Sequence, residues 1–146
     1  MNLSLFFKRF ALTSFAIALI TVAGCGSGGK YYPVYGTVEF NGYDSAAEFG
    51  SVEFRSKTDP PVIARGKIEK DGRFRVDASG KTGTIEGLHT VVIIQVVSDS
   101  RTGKVSHNHG LEVHKKYGDH RTTDLVVKVD KDNGADMKLI VDEKND

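Results

Sequence analysis

From residue 31 onward apolar residues recur at every second position, and no stretch keeps a helical period over three turns. Val34, Gly36, Val38 and Phe40 alternate with Tyr35, Thr37 and Glu39. Val52 and Phe54 alternate with Ser51, Glu53 and Arg55, and Ala64, Gly66 and Ile68 with Arg65, Lys67 and Glu69. Such alternation sets one face of an extended strand on a core and the other in water. Asn41-Gly42 supplies a turn after the first run, and Asp71-Gly72 predicts a hairpin leading into Phe74 and Val76. The run 90–97 is apolar on both faces, which predicts a central strand. Leu125, Val127 and Val129 alternate again, and Asp130-Lys-Asp-Asn133-Gly134 predicts a hairpin turn into Met137, Leu139 and Val141. The polar stretch 99–120 reads as a long loop with one short strand.

About seven short strands separated by turn residues predict an all-β chain, a single antiparallel β-sandwich of prealbumin-like or immunoglobulin-like type over residues 32–142. Composition narrows the function classes. The chain has 146 residues, one cysteine and a formal charge of +1. A single cysteine excludes an intrachain disulfide framework and Cys-pair zinc sites. A balance this near neutral argues against nucleic acid as a partner.

Residues 1–24 are organised differently. Lys8 and Arg9 are their only charges, and an apolar run of 14 residues from Phe10 to Ala23 follows. Spanning a bilayer takes about 20 apolar residues, so this order predicts a secretory signal instead. Val22-Ala23-Gly24-Cys25 resembles the lipobox of bacterial lipoproteins. That resemblance implies removal of residues 1–24 and acylation of Cys25, which becomes a membrane anchor. Gly26-Ser27-Gly28-Gly29-Lys30 has little to bury and reads as a flexible tether, so residues 25–31 form the acylated cysteine and its linker. In that family the residue after the cysteine directs sorting; Gly26 in place of Asp implies the outer membrane where the cell has one. Loss of Lys8 and Arg9 with the signal takes the formal charge from +1 to −1.

The domain carries a second resemblance. Pro33-Val34-Tyr35-Gly36-Thr37-Val38, Val52-Glu53-Phe54, Ala64-Arg65-Gly66, Asp71-Gly72-Arg73-Phe74 and Gly87-Leu88-His89 occur in order. Lys116-Tyr117-Gly118-Asp119 and the closing run 123–129 complete the series. This order is similar to small planctomycete lipoproteins with a transthyretin-like, carboxypeptidase-regulatory-like domain. The resemblance implies a prealbumin-like β-sandwich and brings no settled activity. The chain departs from the family at His89, where an aromatic is common, and in its histidine-rich 99–120 loop.

Histidines are the one hint of a site. His107 and His109, two apart, would project from one face of a strand and could share a transition metal. Glu112, His114, Asp119 or His120 could add a third ligand. A solvated loop that happens to hold several histidines is the competing reading. Asp130–Gly134 fails as a calcium loop, since Gly134 falls fifth rather than sixth and position twelve is Val141. Gly-x-Ser-x-Gly, Gly-x-Gly-x-x-Gly and phosphate-loop motifs are absent, and the Tyr-Arg-Gly-Ser ending of hydroxyisourate hydrolases is missing. Tyr31, Tyr32, Tyr35 and Tyr43 could stack on sugar rings or mark an interface.

The expected role is a lipid-anchored, non-catalytic binding or structural module of the cell envelope, without a cofactor, facing an envelope protein or polysaccharide. The first alternative is a periplasmic metal- or small-ligand-binding protein using His107, His109 and His114. The second is an enzyme whose site leaves no mark in the sequence.

Overall fold

The computed structural model describes residues 29–95 and 110–144. Ten strands follow in order: β1 (Tyr31–Tyr32), β2 (Val34–Phe40), β3 (Ser51–Ser56), β4 (Ile63–Lys67), β5 (Arg73–Ala78), β6 (Lys81–Thr82), β7 (Thr84–Ile85), β8 (Gly87–Ile94), β9 (Val126–Val129) and β10 (Met137–Val141). One 3-10 turn, Lys115–Gly118, lies between β8 and β9. The all-β expectation holds. The larger, eight-stranded sheet runs β10-β2-β5-β4-β3-β8-β9, with β6 paired to β5, and β1 and β7 form a separate two-stranded sheet.

The period-two runs form strands because each buries one set of side chains. Val34, Val38 and Phe40 of β2, Val52 and Phe54 of β3, Phe74 and Val76 of β5, Val91 and Ile93 of β8 and Leu139 and Val141 of β10 join one core cluster. Since strands from both ends of the sheet share that cluster, the sheet curls over it. β8 is paired on both sides, with β3 and β9, but lies next to the end of the strand order, not at its centre as its two-faced apolar run predicts. Its second face is covered only in the middle: Thr90 and Val92 are buried, while Leu88 and Ile94 are exposed.

Two further expectations are corrected. The sheet is mixed, not wholly antiparallel, because β10 pairs with β2 in parallel, Met137 opposite Gly36 through Val141 opposite Phe40. Residues 130–136 therefore make no hairpin, for β9 and β10 lie at opposite ends of the strand order. Local chemistry explains why. Asp130 Oδ1 accepts from the Asp132 and Asn133 amides, and Asn133 Oδ1 from the Asp130 amide, which rounds the chain into a self-contained turn. Gly134 then lies on β2: its carbonyl accepts from Tyr35 N at 3.1 Å, and a Cβ there would come within 2.4 Å of Pro33 O. The turn docks on the first long strand and delivers β10 beside it. Asp71-Gly72, by contrast, does turn β4 antiparallel onto β5, with Gly72 at φ +78°.

Tyr31 and Tyr32, placed in or next to the tether by sequence, form β1 and pack against the core. Tyr35 and Tyr43 are exposed. The long run is a strand over Gly87–Ile94, so its expected end at residues 96–97 lies outside the described residues.

Candidate functional site

Four of the named positions fall differently. Cys25, His107 and His109 lie outside the described residues. His114 is described and acts locally: its Nδ1 accepts from Lys116 N at 3.1 Å and caps the 3-10 turn, while its own amide donates to Asp142 O. Among the described residues no group of three His, Cys, Asp or Glu side chains could hold a metal ion. Two of the proposed third ligands are engaged elsewhere, Glu112 with Lys144 at 2.7 Å and His120 with Glu53 at 2.9 Å. Asp119 binds Arg121 beside it.

The 110–125 segment is held to the sheet by two polar clusters. In the first, Lys116 Nζ donates to Asp142 Oδ2 at 2.7 Å and to Asp124 Oδ2 at 3.0 Å. Tyr117, buried in the core, donates its hydroxyl to the same Asp142 carboxylate, and Asn41 Nδ2 donates to Oδ1. The Lys116 ammonium, then Asn41 and Tyr117, hold the Asp142 carboxyl down at about 2. Asp142 and Asp124 push Lys116 up in turn.

The second cluster crosses β3 and β4. Glu53, only 13% exposed, accepts from His120 Nε2 and, at 2.6 Å, from Arg65 Nε. Burial pushes the Glu53 carboxyl up, but the His120 and Arg65 hydrogen bonds outweigh it and leave it below the ordinary carboxylate value. Two buried polar atoms have no partner among the described residues, His120 Nδ1 and Thr90 Oγ1. Thr90 lies two residues from Val92, the cross-strand neighbour of Glu53. A carboxylate orienting an imidazole is half of a nucleophile-activating arrangement. The other half is not engaged here, because His120 Nδ1 has no hydrogen-bond partner among the described residues.

Between the segment and β8 an open groove of ≈ 550 Å³ is lined by Ile93, Ile94, Val113, His114 and Gly118, with Glu112, Lys115 and Lys144 among its polar walls. Gln95 braces its floor, Nε2 donating to Phe49 O and Oε1 accepting from Val113 N. His114 lines this groove with its Nδ1 engaged at the 3-10 turn.

His89 is the residue whose role the sequence signalled only as a departure. It is wholly buried, its ring 6.2 Å from that of Phe54. The Gly87 carbonyl can only accept, so Nδ1 carries the proton, and Nε2 then accepts from the buried Thr84 hydroxyl. An aromatic-sized ring fills the core here with both polar atoms satisfied. Burial pushes its pKa below the ordinary 6.5. In comparisons with known proteins the chain matches no family model, no curated protein and no solved structure.

Proposed function

We propose that the protein is a secreted bacterial lipoprotein, acylated at Cys25, whose β-domain serves as a non-catalytic binding or structural module at the cell envelope. One observation carries this reading: Lys8-Arg9, an apolar run, Val22-Ala23-Gly24-Cys25 and a glycine/serine tether follow one another, and the tether ends where β1 begins at Tyr31. A single acyl chain binds membranes marginally, whereas two or more anchor stably. No described helix is long and apolar enough to cross a membrane.

The domain itself we read as a sandwich of prealbumin-like type, with β10, β2 and β5 as one leaf and β4, β3, β8 and β9 as the other. In support, β5 joins the two, paired with β2 over Arg73–Val76 and on its other side with β4 at Asp77 and with Ile68 at Phe74. The non-catalytic reading is supported by the use made of the perturbed groups: Asp142, Lys116 and Glu53 are each spent on tying the 110–125 segment down. The partners that fit are the membrane through its anchor and an envelope protein or polysaccharide, with no nucleic acid.

The test is metabolic labelling with palmitate in a diderm host, followed by fractionation. The native chain takes up label and sediments with membranes, whereas Cys25→Ser does neither. A labelled or membrane-bound Cys25→Ser chain overturns the reading. The place of half-buried His114 in the lining of the 550 Å³ groove favours a second reading, a small-ligand or metal protein using His107, His109 and His114. Stoichiometric metal copurifying with the native chain, and lost in His114→Ala, would establish it.

A further inference from the structure

The larger sheet ends on β10 at one side and on β9 at the other. Just past β10, Lys144 N donates to Glu112 O and His114 N to Asp142 O, so residues 142–144 are paired with the 110–125 segment. β9 ends the strand order on the other side, and no described strand pairs with its outer edge.

Hydrogen-bond parity fixes which groups that edge presents. In β8, Leu88 O accepts from Lys57 N on the β3 side, while Val91 N donates to Leu125 O on the β9 side. With His89 opposite Val127 and Gly87 opposite Val129, Val127 and Val129 spend their backbone groups on β8; just before β9, the Leu125 carbonyl also bonds β8, while Leu125 N donates to Thr123 Oγ1. The amides and carbonyls of Val126 and Lys128 therefore point away from the sheet, and the same parity carried past the strand start puts those of Asp124 on that side. Val126 and Leu88 are also the most exposed large apolar side chains among the described residues, at 54% and 52%. They share the outer face, with Val126 opposite Thr90 and Leu88 opposite Lys128.

We infer that β9 is a homodimer edge, which pairs antiparallel with β9 of a second copy about a twofold axis at Val126. Parity demands only that even-numbered residues face even-numbered ones, which an axis at any residue satisfies; an axis at Val127 sets Asp124 against Asp130 of the copy, and one at Leu125 leaves Lys128 facing Thr122. An axis at Asp124 sets Asp124 against its own copy, and one at Lys128 sets Lys128 against its own copy, so both bring like charges together. An axis at Val126 sets Val126 against Val126 and Lys128 against Asp124 of the copy, twice over. That register exchanges backbone hydrogen bonds at three residue pairs and joins the Leu88 and Val126 side chains of both copies into one apolar strip. Lys128 and Asp124 are themselves exposed and make ion pairs with Asp130 at 3.2 Å and with Lys116 at 3.0 Å; the first is cheap to exchange, and in the second Lys116 keeps its shorter bond to Asp142 at 2.7 Å. A lysine in an edge strand can instead guard it against pairing; the charge-swap variants below separate the two roles. The inference stands independently of the anchoring at Cys25.

The test is oxidative cross-linking of full-length Val126→Cys in membranes of expressing cells. Residues facing each other in a hydrogen-bonded antiparallel pair have Cα atoms about 5.5 Å apart, within disulfide reach. The expected result is a band of doubled mass, absent from Ile140→Cys, reduced at least tenfold by adding Lys128→Glu and restored by adding Asp124→Lys to that. No doubled band, an equal band from Ile140→Cys, or a band indifferent to Lys128→Glu overturns the inference. So does cross-linking of Val126→Cys mainly to another protein, which would show that the edge takes a foreign strand. Sedimentation of the native, detergent-solubilised chain gives a second measure: a dimer that Lys128→Glu converts to monomer supports the inference, and a native monomer at all concentrations overturns it.

Discussion

Tyr117 and Asp142 bind each other twice: the phenol donates to Asp142 Oδ2 at 3.0 Å and accepts from Asp142 N at 3.2 Å. The ring is buried in the core, so the two bonds tie the 3-10 turn to the chain just past β10. Tyr117→Phe keeps the ring and strips both bonds. A loss of about 1–2 kcal/mol is expected, read by urea unfolding, because the Asp142 amide loses its partner. Tyr117→Ala adds a cavity and should cost about 3–5 kcal/mol. Equal stability of Tyr117→Phe and the native chain would refute the tie.

His89 makes stability depend on pH between neutral and mildly acidic. Its folded pKa is depressed by burial, so below the ordinary 6.5 the unfolded chain binds a proton that the folded chain refuses. Stability is full above 6.5 and falls as pH drops toward the depressed folded value. His89→Phe, which keeps a ring against Phe54, should flatten this limb in thermal melts taken from pH 7.5 to 5. An unchanged slope would mean the histidine is charged in the fold.

Asp142 governs a second, more acidic limb. Its carboxyl is held at about 2, against an ordinary 3.8, chiefly by Lys116. Its contribution is therefore present above 3.8 and is lost as pH falls through about 2. Asp142→Asn should remove this limb while leaving the one due to His89. High salt should weaken the effect in the native chain, because the ion pair is exposed.

Gly36 allows β10 to pack against β2. A Cβ at Gly36 would stand 1.8 Å from Met137 O. Gly36→Ala should therefore cost about 3 kcal/mol or more, since backbone must move to make room. Gly42, whose Cβ would meet nothing within 4 Å, is the control for added bulk, though its φ of +80° carries a strain of its own. Amide exchange should speed up along Met137–Val141 in Gly36→Ala and stay native in β3 and β8.

The strands were legible because each buries alternate side chains, a period that a single sequence displays directly. β2 and β10 match the predicted runs to the residue. Pairing was less legible. Asp130–Gly134 has the composition of a hairpin turn, but Gly134 is hydrogen-bonded to Tyr35 and packed close to Pro33, about a hundred residues earlier, and only the folded chain brings these together. The polar clusters were hidden for the same reason: Glu53 and His120 belong to different runs of the pattern, as do Asn41 and Asp142. Spacing along the chain drew attention to His114 but could not show the cap that its Nδ1 forms at the 3-10 turn.

The parallel partnership of β10 with β2 also sets a timetable. Of the described strands, the first long one receives its outer neighbour from the last one made. A chain made from its N-terminus must keep β2 half-paired until residues 137–141 have been made and emerged. Val34, Val38 and Phe40 lack the cover of Leu139 and Val141 until then. A nascent chain stalled a few residues short would be a substrate for holdases and proteases, while the finished chain closes and escapes both.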